Sequence, residues 1–187
     1  MELYNEIIRI IDVNIIFSLV PLLFVIILIE VFFKNRFKTK QVLNLVRWII
    51  VSYTIVTMIQ FLIRIIVFRD EYAFLNRATG PYWWAYWLMF ISAAILPFTL
   101  LYKKLFSKAF YLLFIAIFMK IGMYFERFVI IVTSLHRDYA SDNERFNLSN
   151  YLIIGFLMLI LQGFILAIIL LGIFELIERK KTVHNSL

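Results

Sequence analysis

An acid–base dipeptide, Glu126-Arg127, sits in a run from Ala109 to Leu135 that is otherwise apolar apart from Lys120, and three ionisable residues, His136-Arg137-Asp138, follow at its end. Charges in a membrane helix are candidates for function because each costs about 2.5 to 3.5 kcal/mol at the helix centre. Lys120, Glu126 and Arg127 together cost roughly 7 to 10 kcal/mol, about what twenty apolar residues offset. The run therefore needs polar partners inside the bilayer. The chemistry such groups support is proton relay or the binding of a polar ligand, since perturbed carboxylates and lysines gather at such sites. Glu126 lies roughly 14 Å from the far end of its run at 1.5 Å per residue, a short path for a released proton. The alternative is a structural ion network of Glu126, Arg127 and Arg64 that holds helices together.

The 3.6-residue period of a helix puts Gly122, Glu126 and Thr133 on one side of this run, and Lys120, Tyr124, Arg127 and Ser134 on a neighbouring side. A third polar stripe, Tyr53, Thr57, Gln60 and Arg64, recurs at helical spacing in an earlier run. Arg64 lies close to the end of that run, where its guanidinium either snorkels outward or turns in to meet Glu126. The string Gly80-Pro81-Tyr82-Trp83-Trp84-Ala85-Tyr86-Trp87 opens another run, with Pro81 in a first-turn position where its missing N–H does no harm. It reads as an interfacial aromatic belt, or as a slot of stacked rings for a flat lipid-soluble ligand.

The elements that must position these residues follow from composition. Of the 187 residues 64% are hydrophobic, and the mean hydropathy is +0.91. Soluble domains are roughly 45 to 50% apolar, so the solvent for most of this chain is lipid. Five runs approach the roughly 20 residues a crossing needs: Val13–Phe33, Leu45–Phe68, Tyr82–Tyr102, Ala109–Leu135 and Tyr151–Phe174. The expected fold is an all-α integral membrane protein of about five transmembrane helices, a four-helix bundle plus one peripheral helix, forming a single membrane domain over residues 1–187. Pro21 and Pro97 are expected to kink the first and third helices. The fifth, whose one strong polar group is Gln162, reads as lipid-facing scaffold. No internal repeat, low-complexity linker or domain boundary stands out. The start of the chain lacks the basic n-region of a cleaved signal, so the first helix is expected to be retained.

Lys34, Arg36, Lys38 and Lys40 fill the first connection without an acid, Lys103, Lys104 and Lys108 the third, and Arg179, Lys180 and Lys181 the tail. The second and fourth connections mix acids with bases. The positive-inside rule then places the first and third connections and the tail in the cytoplasm, the N-terminus outside, and His136 at the outer face. The net charge of +7 is the excess of these cytoplasmic cations, attracted to anionic headgroups, and calls for no nucleic acid.

Several chemistries are excluded. The chain has no cysteine, which rules out disulfides, thiolate-held clusters and covalent haem, and its two histidines are too few for two bis-histidine haems. No Gly-rich phosphate loop, nucleophile elbow or metal-spaced His or Glu pair is present.

The strings NRATGPYWWAYW (Asn76 to Trp87) and IGMYFERFVIIVTSLHRDY (Ile121 to Tyr139), with QFLIR (Gln60 to Arg64) more loosely, resemble the NrfD/polysulfide-reductase (PsrC-like) membrane-subunit family. The nearest likeness is to the ActC-type subunit of alternative complex III. About a third of the chain carries it well, and Gln41 to Ile177 follows the family's helix order; the first helix, Ile10 to Phe33, carries none. Family members hold two four-helix bundles in one longer chain, and the likeness here is to the second, C-terminal bundle.

The resemblance implies a membrane subunit of a multisubunit quinol-oxidising respiratory complex in the bacterial inner (cytoplasmic) membrane. It would help form an outer-side quinol or menaquinol site, hold no covalent cofactor, and pass electrons to partners carrying the iron-sulfur clusters and haems. Its partners would be an outer-side iron-sulfur subunit and a first-bundle or full-length NrfD-like chain. His136, Arg137 and Trp84 would bind quinol, and His136 and Asp138 would take its protons. Glu126 and Arg127 would be the family's buried pair; the seams add Lys120 and Arg64 to them as the candidate buried ion network or proton path. Histidine, with an unperturbed pKa of about 6.5, suits proton exchange at neutral pH. Two other readings compete: an accessory subunit that packs on a complete homologue without binding quinol, and half of an ion or proton translocator.

Overall fold

The computed structural model describes residues 2–33, 37–67, 74–102, 108–125, 128 and 142–184. Every element among them is helical. We label them α1 (Glu2–Ile11), α2 (Leu19–Phe32), α3 (Thr39–Val67), α4 (Phe74–Thr79), α5 (Trp83–Phe90), α6 (Ala109–Phe118) and α7 (Asp142–His184). Four stretches are long and apolar enough to cross a membrane: Glu6–Phe32, Thr39–Val67, Trp83–Leu101 and Ile153–Glu178. Helices are what an apolar chain must form in lipid, where no water satisfies an open backbone group. Large apolar side chains accordingly stand on the surface, among them Ile66, Phe110, Phe156 and Met158.

Both membrane prolines sit beside irregular turns. A proline has no N–H to give the carbonyl four residues back, so the ladder must be re-made around it. Before Pro21 the chain widens into a π turn over Asp12–Ile16, with the Phe17 N–H bonded to the Asp12 carbonyl at 3.0 Å. Before Pro97 a second π turn, Ile91–Ile95, leads into the 3₁₀ segment Leu96–Leu101. These are the sites where kinks were expected, and wide turns of this kind are where bent helices absorb a broken ladder.

Helix bounds depart from the apolar runs at the ends. The first helical stretch begins at Glu2, well before Val13, and α7 runs from Asp142 to His184 where the apolar run covers Tyr151–Phe174. No Gly or Pro interrupts Asp142 to Ile154 or follows Gly172. The helix therefore continues through the polar sequence at both of its ends. At 1.5 Å per residue α7 is about 65 Å long, twice a hydrocarbon core of about 30 Å. In the fourth run the described helix α6 covers ten residues, and helical backbone resumes at 121–125 after a turn.

The chain divides into two compact units, residues 1–45 with 127–187, and residues 46–126. In the first, α2 packs along α7, and Ile16, Leu19, Leu22, Leu23 and Ile26 are fully buried. One stripe of α7, Gly163, Ala167 and Leu171, is buried, while its other faces stay exposed. The Gly163 backbone comes so close to Pro21 and Leu22 that no side chain fits between them. Gln162 Nε2 donates to the carbonyl of Asn14 at 2.8 Å, giving the π turn a partner from α7. The helix read as lipid-facing scaffold thus carries a packed seam on one side. In the second unit Ile50, Val51, Leu100, Leu112 and Ile115 are fully buried.

Candidate functional site

Of the residues that sequence singled out, Arg64, Trp84 and Lys120 fall in the second unit and are described; Glu126, Arg127, His136, Arg137 and Asp138 lie outside the described residues. Lys120 stands just past the end of α6. There the Met119 N–H bonds to Ile115 O at 2.9 Å and the Lys120 N–H to Ile117 O at 3.4 Å, a tightened turn, before Tyr124 N–H bonds to Lys120 O at 3.1 Å. The tightening re-aims the chain, and Lys120 Nζ donates to the Tyr53 hydroxyl of α3 at 2.5 Å. The ammonium is also 4.8 Å from the centroid of that ring. The ammonium therefore lies at the hydroxyl end of the ring, and the interaction is one charged hydrogen bond. It contributes about 1.5 to 3 kcal/mol, comparable to the cost of a lysine at the centre of a membrane helix.

Two of the polar stripes therefore meet, at Lys120 and Tyr53. Below that point the α3 stripe turns back on itself: Thr57 Oγ1 donates to Tyr53 O at 3.0 Å and lies 3.1 Å from Thr54 O, and Thr54 Oγ1 donates to Ile50 O at 2.9 Å. These hydroxyls serve their own helix rather than a ligand. Arg64, half-buried, lies roughly 16 Å further along α3. Gly122 faces Met89 of α5, whose sulfur is where a Cβ would have to go, so this side of the fourth run packs on the third. What the Lys120–Tyr53 pair offers chemically is two proton donors, an ammonium and a phenol, joined at one point within the second unit.

The aromatic string divides along its length, with the first residues outward and Trp87 inward. Tyr82, Trp83 and Trp84 are exposed, as an interfacial belt requires. Trp87 turns inward: its Nε1–H donates to the Ala78 carbonyl at 3.1 Å, and its ring meets Phe74, Tyr86 and Phe90 edge to face at 5.7 to 6.5 Å. Phe61 of α3 completes the group, 5.0 Å from Phe90 and 6.2 Å from Phe74. This five-ring cluster was missed from sequence. The available signal was the spacing of Phe90 four residues after Tyr86 and three after Trp87, which puts these three rings on neighbouring positions of one helix.

Trp87→Phe is expected to destabilise the second unit by about 1 to 2 kcal/mol, because it removes the donor to Ala78 and part of a packed ring. Trp84→Phe, on the exposed side, should change stability by less than about 0.5 kcal/mol. Unfolding of the two variants by sodium dodecyl sulfate, followed by the remaining tryptophan fluorescence, checks this; equal midpoints would deny the cluster its role.

Among the described residues no three His, Cys, Asp or Glu side chains come together as a metal-ligand set. No protein-family model, curated protein or solved structure matches this chain.

Proposed function

We propose that this chain is a membrane subunit of a multisubunit quinol-oxidising respiratory complex in the bacterial inner membrane. It helps form an outer-side quinol site and passes electrons to an iron-sulfur or haem partner. The observation that carries this reading is the string Ile121 to Tyr139, which ends in His136-Arg137-Asp138 and resembles the NrfD-like family over an unusual and continuous set of residues. Four apolar helices long enough to cross a membrane support the membrane setting. The charge asymmetry of the connections supports an N-terminus outside, a C-terminus in the cytoplasm and a fifth crossing through Ala109–Leu135.

In this reading the quinol hydroxyl hydrogen-bonds to His136, which takes its proton as an electron departs. Arg137, permanently charged, holds Asp138 ionised or stabilises an anionic quinol. Two electrons leave to the partner and two protons to the outer side. The chain lacks cysteine and has two histidines, so the metal centres that receive the electrons belong to other chains.

Co-purification tests the assignment. Extraction in a mild detergent is expected to bring the chain out with an iron-sulfur or multihaem subunit and with a second NrfD-like bundle, seen by mass spectrometry and by the visible and paramagnetic signals of the metal centres. Isolation as a homo-oligomer without any such partner would overturn the proposal.

A further inference from the structure

Two amide side chains stand at one level of the first unit. Gln162 Nε2 donates to the Asn14 carbonyl at 2.8 Å, and Asn14 Nδ2 donates to the Ile10 carbonyl at 2.9 Å. Asn14 is exposed and Gln162 half-buried. A side-chain amide has two N–H donors and a carbonyl acceptor, so these bonds use one donor of each. Among the described residues nothing takes up Asn14 Oδ1, Gln162 Oε1 or the second N–H of either. At the other end of the same spans Lys38 Nζ lies 2.9 Å from Glu178 Oε1, so the helices run side by side in one direction.

Depth makes these open valences matter. The spans Glu6–Phe32 and Ile153–Glu178 hold 27 and 26 residues, roughly 40 Å of helix against a hydrocarbon core of about 30 Å, an overhang of about 5 Å at each end. Asn14 and Gln162 lie roughly 12 to 14 Å in from the first residue of each span, well inside the core. No water reaches them there, and an amide in lipid seeks a partner on another helix. Met158, Gln162, Ile165 and Ile169 recur at spacings of four, three and four, so they share one face of α7. The three apolar members are exposed. This is a different face from the stripe Gly163, Ala167 and Leu171 that is already buried. The amide also selects what covers it. Donor and acceptor on one planar group make an amide its own complement, so two of them pair by two hydrogen bonds. Two copies of this chain, inserted alike and related by a two-fold axis along the membrane normal, bring Gln162 to its own equivalent at the same depth. A different chain would have to match both chemistry and depth.

We propose that the face of α7 carrying Met158, Gln162, Ile165 and Ile169 is where a second copy of this chain docks, with the Gln162 amides paired across the two-fold axis and Asn14 beside them. One polar residue in an apolar seam fixes the register of the two helices. The inference does not rest on the quinol reading, because the pairing uses no redox partner.

The chain has no cysteine, so single cysteines report the face in native membranes that hold the full chain with its partners. Mild oxidation should join two copies through Ile165→Cys or Ile169→Cys, because a disulfide forms only where Cα atoms come within about 7 Å. Ile168→Cys, as exposed as Ile169 but on another side of α7, should stay monomeric. In phosphatidylcholine vesicles of decreasing protein-to-lipid ratio, Gln162→Leu should lower the dimer association constant by about 3- to 30-fold, and Gln162→Asn should keep most of it. Gln162→Leu also removes the bond to Asn14; the cysteine pattern leaves that bond intact and decides the matter if this variant fails to fold. Dimers through Ile168→Cys as abundant as through Ile169→Cys would overturn the proposal, as would no dimer at any of these positions. Oxidised products that join α7 to a different chain would overturn it in favour of that chain. A folded Gln162→Leu protein as dimeric as wild type would overturn the role of the amide.

Discussion

On the proposed quinol-site reading, His136→Ala is expected to slow quinol oxidation by the proposed complex by a factor of about 10² to 10⁴, the usual contribution of a positioned acid–base group. Oxidation of a quinol to a quinone releases two protons along with two electrons, and in the proposed site His136 takes the first. Histidine suits that task because an imidazole ordinarily exchanges its proton near neutral pH, whereas a guanidinium or a carboxylate ordinarily does not. The measurement is quinol-dependent acceptor reduction by a preparation whose subunits and metal centres match wild type. His136→Gln separates two roles: it keeps a hydrogen bond but cannot carry the proton, so turnover should stay low while quinol binding returns. His184, the other histidine, lies in the polar tail, and His184→Ala should leave turnover unchanged. Wild-type turnover in His136→Ala would end the catalytic assignment.

Gly163→Ile is expected to destabilise the first unit by about 3 kcal/mol or more, while Gly155→Ala and Gly172→Ala stabilise α7 by about 0.5 to 1 kcal/mol each. A Cβ at Gly163 would lie 2.5 Å from Pro21 Cγ and 2.9 Å from the Leu22 backbone nitrogen. Pro21 is rigid and Leu22 N is backbone, so neither can swing aside; α2 and α7 must separate. For Gly163→Ala, a helix-propensity gain of about 1 kcal/mol competes with an overpacking cost of about 1 to 3, and the clash wins. At Gly155 and Gly172 an added Cβ meets nothing within 4 Å, so propensity acts alone. The contact matters more in lipid than it would in water, because apolar surface there is no reason for helices to associate and close backbone approach is. Midpoints of unfolding by sodium dodecyl sulfate, read by circular dichroism, give the order. A Gly163→Ile protein as stable as wild type would refute the packing argument.

Sequence alone determined the solvent and the class of fold. An excess of apolar residues in runs near bilayer length leaves helices as the form in which every backbone group is satisfied, and every element among the described residues is helical. The prolines marked the two irregular turns for the same reason, a missing N–H. Lys120 was legible as a residue in need of a partner, since a charge in lipid must find one. Which partner was not legible. Tyr53, Thr57, Gln60 and Arg64 all fit the stripe, and only the turn after Phe118 aims the lysine at Tyr53. Likewise Trp84 and Trp87 are the same residue type one short step apart, and the fold turns one outward and the other into the ring cluster.

The faces of α2 and α7 were illegible for a deeper reason. In water a helix shows its buried side by being apolar on one face; in lipid both the packed and the exposed faces are apolar, so periodicity carries little information about either. What distinguishes them is size, and a single glycine opposite a proline becomes decisive only when the fold has brought the two together. The Lys38–Glu178 pair belongs to the same class. Each residue is an ordinary end-of-helix charge in sequence, and their meeting across 140 residues was decided by the packing of α7 on α2, which no local pattern encodes.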